Sequence, residues 1–216
     1  MAPTNEGGRT GRPRAEDAPV TREEILDAAF RAFATYGYDG VAVRTLNREL
    51  GVSHNLIHQR FGSKKDLWYA AVDRAFRGQI VELGTGFDPT LSDPLDQLNH
   101  WIRRFVHYSA DHPELLGLMN IEGRVEGERL DYLYDNYIGP ALAPLGVLVD
   151  HLREKGRIRP ISLRALWFLI GHGAPAPFTL APFARRFDRA DPFDAKQVAE
   201  QAALTADVIT NGLRLD

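Results

Sequence analysis

Along residues 21–83 the apolar side chains recur every three or four positions in four bursts. Each burst is bounded by a residue suited to a helix end. Residues 21–36 set Ile25, Ala29, Ala32, Phe33 and Tyr36 on one helical face. Thr21 and Glu24 have the spacing of a capping box, Val20 and Ile25 that of its hydrophobic staple, and Gly37 is the expected stop. Residues 44–50 carry Leu46 and Leu50 at i,i+4, and Gly51 can then enter the left-handed region that closes a helix. Val52 plugs the bend, and Ser53 is placed to cap a second short helix whose Ile57 and Phe61 point inward. His54, Asn55, His58 and Gln59 are left facing out. Ser63 and Asp66 form another box, opening a helix through Leu67, Trp68, Ala71, Val72 and Phe76 to about residue 83.

After a loop over residues 84–94 the pattern predicts five further helical segments. Residues 95–110 are amphipathic, and a shorter segment begins at Pro113. A long one over residues 128–155 should kink at Pro140 and Pro144, because proline lacks the N–H a helix needs. Residues 162–173 and 195–213 complete the set, and residues 175–192 read as an irregular, proline-punctuated loop. No strand pattern, internal repeat or long heptad run is present. The fold class is therefore all-α, with about nine helices.

Composition narrows the function classes. With 216 residues, 44% of them hydrophobic and 25% charged, the chain can bury the core of one or two soluble domains. The absence of cysteine excludes disulfides, thiol catalysis and Cys-ligated zinc, and fits a reducing cytoplasm. No apolar run approaches the roughly 18 residues of a membrane span and no signal peptide opens the chain, so a cytoplasmic protein with no membrane partner is expected. A net charge of −3 excludes a generally basic nucleic-acid coat. Locally the balance differs: residues 40–65 hold Arg44, Arg48, Arg60, Lys64 and Lys65 against a single acid, Glu49.

A helix, a glycine turn and a second helix with an amide- and imidazole-bearing outer face is the helix-turn-helix arrangement, here over about residues 43–62. Asn55 and Gln59 can grip adenine through N6 and N7, His54 can reach a base edge or a phosphate, and Leu56 can touch a thymine methyl. The bland alternative is a helical hairpin whose polar face meets only water. The flanking pattern favours the first reading. TREEILDAAFRAFATYGYDG at residues 21–40, LGVS at 50–53 and RFGSKKDL at 60–67 together resemble the N-terminal domain of the TetR family of transcriptional regulators. That resemblance implies a three-helix DNA-binding domain over residues 21–66. It implies a helical body over residues 67–216 that dimerises and binds a small ligand. It also implies a DNA-contacting set of Arg44, Thr45, Ser53, His54, Asn55, Leu56, His58, Gln59 and Lys64. Three positions depart from the family pattern: His58 stands where tyrosine is usual, Leu56 where a small residue is usual, and Lys65 where an acid is usual. These bear on the operator sequence rather than the fold.

Residues 1–20 read as a flexible basic arm, whose RTGRPR at 9–14 resembles a minor-groove hook but is more simply a basic tail. His54 and His58 have metal-ligand spacing with no third ligand in view, so neither a metal nor a cofactor is expected. No phosphate-binding glycine loop, HExxH or GxSxG occurs, and no catalytic residue is assigned. Trp101, Phe105, Tyr108, Met119, Tyr137 and Trp167, with Glu122 and His172 as polar groups, are candidate lining for a pocket taking a small apolar or aromatic effector. The plain alternative for such a stripe is core. Residues 162–173 and 195–213 are the expected dimer surface, with Ala199, Ala202, Ala203 and Ala206 allowing close approach. The expected function is a ligand-responsive, sequence-specific repressor that binds a palindromic operator as a homodimer. An all-helical small-molecule enzyme or a helical adaptor is the alternative.

Overall fold

The computed structural model describes residues 20–84 and 86–215; the expected arm, apart from Val20, lies outside the described residues. The chain is all-α, and its single β-bridge among the described residues joins Ile158 to Arg214. Helix α1 spans Arg22–Gly40 and opens on the capping box: the Thr21 hydroxyl accepts from the Glu24 amide, and the Glu24 carboxylate accepts from the Thr21 amide. Gly37 interrupts it at φ 72°, a conformation that glycine adopts without a Cβ clash. Helices α2 (Val43–Glu49) and α3 (Leu56–Phe61) follow, then α4 (Lys64–Gly84), opened by reciprocal bonds between Ser63 and Asp66. Those bonds hold the Asp66 carboxyl below its ordinary range.

Helix α5 (Pro94–Asp111) starts with Pro94 behind an Asp93 cap and is followed by α6 (Pro113–Glu122). The long helix expected over residues 128–155 is divided. Helix α7 (Glu128–Leu133) passes into a π-helical turn at Tyr134–Ile138, then α8 (Gly139–Glu154). The widening has a local cause. Pro140 brings no N–H and would press its ring on the carbonyl four residues back, whereas in the π turn the Gly139 amide bonds five residues back to Tyr134. Pro144 sits inside α8. Helix α9 (Leu163–Phe168), capped by the Ser162 hydroxyl, likewise runs into a π turn at Leu169–Gly173.

Residues 175–192 correct the sequence-based expectation of an irregular loop. They form α10 (Ala176–Thr179) and α11 (Ala181–Asp188), with Pro177 and Pro182 in first turns, where a missing N–H costs no helical bond. Helix α12 (Ala195–Leu213) closes the chain and packs along α5. One core runs from α1 to α12 and includes fully buried Phe33, Trp68, Phe76, Trp101 and Phe105. Ala202 joins Val106, Ala110, Ala174, Phe178 and Val198 in a second cluster beside it. Buried Ala202 and Ala206 therefore lie against their own chain, and α12 presents Leu204 and Val208, each 63% exposed, on its outer side.

Candidate nucleic-acid interface

The turn between α2 and α3 is built from backbone chemistry. The Gly51 amide donates to the Arg48 carbonyl (3.1 Å) and the Val52 amide to Asn47 (3.0 Å), the doubly bonded helix ending that requires a left-handed residue. Gly51 supplies it at φ 65°. Half-buried Val52 fills the inside of the bend.

Ser53 does not act as the expected side-chain cap. Its carbonyl accepts from the Leu56 amide, and α3 begins at Leu56 with no cap bond from a side chain at its N-cap, Asn55. Asn47 of α2 takes that role from across the turn. It is 1% exposed; its amide nitrogen donates to the His54 carbonyl (2.9 Å), and its oxygen accepts from the Ile57 amide (3.3 Å). The turn is thus tied internally, so the Ser53 hydroxyl is not used to start α3. Sequence reasoning missed Asn47. The available signal was an uncapped amide side chain beside Leu46, on the face that must be buried.

The outer face is as expected. Ser53, His54, Asn55, His58 and Gln59 are exposed, while Ile57 is buried and Phe61 half-buried beneath them. Leu56 differs: it is half-buried and packs against the core, so little of it remains to meet a base. Thr45 is half-buried at the edge of the face.

The five local cations divide by partner. Arg44 and Arg48 are exposed without an ion-pair partner among the described residues, and they border a hollow of about 550 Å³ with His54. Arg60 donates to the Val20 carbonyl at 2.8 Å. Lys64 is half-buried, its ammonium 4.5 Å from the centre of the Tyr38 ring. Lys65 is paired with Glu128 of α7 at 2.5 Å; that bond raises the Lys65 pKa and lowers the Glu128 pKa. Arg22 lies over Phe61, 5.3 Å from the ring centre.

The three-helix head, α1–α3, is joined to the remaining helices, the body, through α4, which packs against α1 and α3 and also against α8. Arg74 of α4 pairs bidentately with Asp27 of α1 (2.6 and 3.1 Å). One residue earlier, Asp73 Oδ1 accepts from both the Tyr132 and Tyr137 hydroxyls at 2.6 Å. Burial and then the Asp73 carboxylate push both phenols above their ordinary pKa.

The eight residues proposed to line an effector pocket fall into separate surroundings. Trp101 and Phe105 stack at 5.6 Å, Trp167 meets Phe105 edge-on, and the Trp101 indole donates to the Leu83 carbonyl (3.1 Å). These rings pack on one another as core. Tyr137 lies against Phe76, Tyr108 against His112, and exposed His172 stacks on Phe168. Met119 is half-buried, and Glu122 pairs with Arg129 at the junction of head and body. A cleft of about 410 Å³ instead opens among α10, α11 and α12, lined by Phe178, Leu180, Phe183, Phe187, Gln197 and Gln201. The sequence pattern does not reveal it, because the prolines that open α10 and α11 make residues 175–192 look like a loop. No group of three or more His, Cys, Asp or Glu side chains suited to a metal occurs among the described residues.

A helix-turn-helix with an exposed polar face, set on an all-helical body, defines the class of two-part helix-turn-helix proteins. The comparisons with known proteins agree. The model for "Bacterial regulatory proteins, tetR family" matches residues 25–71, and that for "Tetracyclin repressor-like, C-terminal domain" matches residues 94–209. The chain belongs to the TetR family of bacterial regulatory proteins.

Among its relatives is the HTH-type transcriptional repressor SCO4008 of Streptomyces coelicolor, 30% identical over 52% of this chain and 55% of that one. The HTH-type transcriptional repressor NicS of Pseudomonas putida is 26% identical over 68% and 69%. For the first two curated relatives the match spans only 55% and 37% of their own length. The TetR family transcriptional regulator PfmR of Thermus thermophilus superposes with a TM-score of 0.61 at 20% identity, covering 88% of this chain and 99% of that one, and so shares the fold. A family of transcriptional regulators sets the enzyme alternative aside.

Proposed function

We propose that the chain is a cytoplasmic repressor that binds a palindromic operator as a homodimer and is released by a small apolar or aromatic effector. Its DNA-binding domain would comprise residues 21–66 and its body residues 67–216. The observation that carries the reading is the outward face of α3, with His54, Asn55, His58 and Gln59 exposed beside Arg44 and Arg48, which have no ion-pair partner among the described residues. In this reading His54, Asn55 and Gln59 meet base edges, while Arg44, Thr45, Ser53 and His58 hold the backbone. Lys64 reaches a phosphate by leaving the Tyr38 ring, and Leu56 contributes packing more than readout.

Selection from a random DNA pool with the purified chain tests the proposal. The expected result is a two-fold symmetric site whose half-sites lie about 34 Å apart, one helical turn. A pool left unenriched at low salt would overturn it.

What supports the dimer is the surface that α9, its π turn and α12 leave uncovered: Phe168, Leu169, Leu204 and Val208 are each more than half exposed, an apolar surface that a symmetric copy would bury. Replacing both Leu204 and Val208 with Asp should turn a dimer into a monomer by light scattering, with far-UV circular dichroism unchanged. A wild-type chain that is already monomeric at micromolar concentration contradicts the pairing.

For the effector, the cleft among α10, α11 and α12 offers phenyl rings and the Gln197 and Gln201 amides, the mixture expected of a small-molecule site. Effector and DNA would then oppose each other through a linkage of roughly 1–3 kcal/mol. Helix α4, shared by head and body, would carry it. No described helix is long and apolar enough to cross a membrane, which accords with a cytoplasmic location.

A further inference from the structure

A second hollow lies where the head meets the body, away from the α10–α12 cleft. Tyr38, just past the break in α1, faces the first turn of α4 on one side and the α6–α7 connection on the other. Its ring draws cations: Lys64 Nζ lies 4.5 Å and the Arg129 guanidinium 4.2 Å from its centre. Beside it is a hollow of about 320 Å³ lined by Tyr38, Lys65, Glu122, Glu126, Glu128 and Arg129. That volume sits at the small end of ligand pockets, which run from about 300 to 1,000 Å³.

The chemistry of the lining is lopsided. Both bases are already neutralised, Lys65 by Glu128 (2.5 Å) and Arg129 by Glu122 Oε2 (2.9 Å). Glu126 has no ion-pair partner among the described residues. The second oxygen of Glu122 is the decisive group. The Glu122 side chain is 5% exposed, and its Oε1 is buried with no hydrogen-bond partner among the described residues. An ionised carboxylate oxygen is acceptor-only, and burying one unpaired costs on the order of 1–3 kcal/mol or more. What relieves it is an N–H donor, and the surplus acid at Glu126 favours a donor with positive charge. An anion would meet two spent cations and three carboxylates.

We propose that this hollow is a binding site for a small organic cation bearing a primary ammonium or guanidinium group, which donates to Glu122 Oε1 with its charge near Glu126. Bound there, it would touch α4, α6 and α7 at once and pin the head against the body. The inference does not depend on the operator reading, since binding is measured without DNA.

The test is isothermal titration calorimetry of the full chain with putrescine and with agmatine, using 1,4-butanediol and succinate as uncharged and anionic controls. Saturable binding of at least one of the two amines at one site per chain is expected, with none by the controls. Glu122→Gln keeps the side-chain shape and should weaken amine binding by at least about tenfold, the loss of one charge-assisted hydrogen bond. Circular dichroism checks that this variant is folded. Glu126→Gln, on the exposed rim and harmless to folding, should weaken it by about two- to fivefold, as exposed charge pairs do. No saturable binding of either amine overturns the proposal. So does amine binding that both variants leave unchanged, or equal binding of butanediol.

Discussion

Trp101→Ala should lower the stability of the folded chain by about 3–5 kcal/mol, the usual cost of emptying a fully buried aromatic site. Trp101 has no exposed surface, stacks on Phe105 at an interplanar angle of 7°, and donates its indole N–H to the Leu83 carbonyl near the end of α4. Truncation leaves a cavity between α4 and α5 and strips a partner from that carbonyl. Trp101→Phe keeps a ring in place and should cost about 1–3 kcal/mol, mostly the lost indole hydrogen bond and the smaller volume, since the Leu83 carbonyl still accepts from the Gly86 amide. Urea denaturation at one fixed protein concentration measures both. The result separates two readings of the aromatic stripe. A core tryptophan gives these losses, whereas a pocket-lining one would leave stability nearly untouched and remove effector binding instead.

Asn47→Leu should destabilise the chain by about 2 kcal/mol and weaken binding to the selected operator by at least about tenfold. The substitution keeps the branching and the number of heavy atoms, so no cavity opens and the effect reports chiefly the lost hydrogen bonds. Asn47 holds both ends of the turn, donating to His54 and accepting from Ile57. Without it the buried Ile57 amide has no partner and α3 loses the clasp that sets its angle to α2. Denaturation and a gel-shift titration on the same preparation read the two effects. Unchanged stability with unchanged affinity would show that Asn47 does not position α3.

The local half of this structure could be read from the sequence, because its causes lie within a few residues. The Thr21–Glu24 and Ser63–Asp66 boxes, the break at Gly37 and the left-handed Gly51 all appear where spacing placed them. So does the exposed face of α3, which follows from Ile57 and Phe61 being the residues that must turn inward. What depends on distant partners was not legible. Asn47 is a capping residue only because α3 folds back over it. Lys65 looked like part of the DNA-facing charge, but the body supplies Glu128 some 60 residues later. Ala202 and Ala206 looked like interchain spacers, yet their own α5 takes the close approach. Proline in a sequence marks an interruption, whereas here Pro177 and Pro182 lie in the first turns of short helices and Pro140 widens one. In each case the sequence pattern states what a residue permits, and the tertiary partner decides which use is made of it.

A repressor of the proposed kind requires the side chains of α3 to enter a groove of the double helix. The most direct measurement is the affinity of Asn55→Ala for the selected operator and for each single-base variant of it, at one salt concentration. The expected result is a loss of about 1–3 kcal/mol on the parent site, with discrimination relaxed at one base pair and kept elsewhere. An equal loss on every sequence, or no loss at all, would mean that Asn55 does not read bases and that this face of α3 does not lie in the groove.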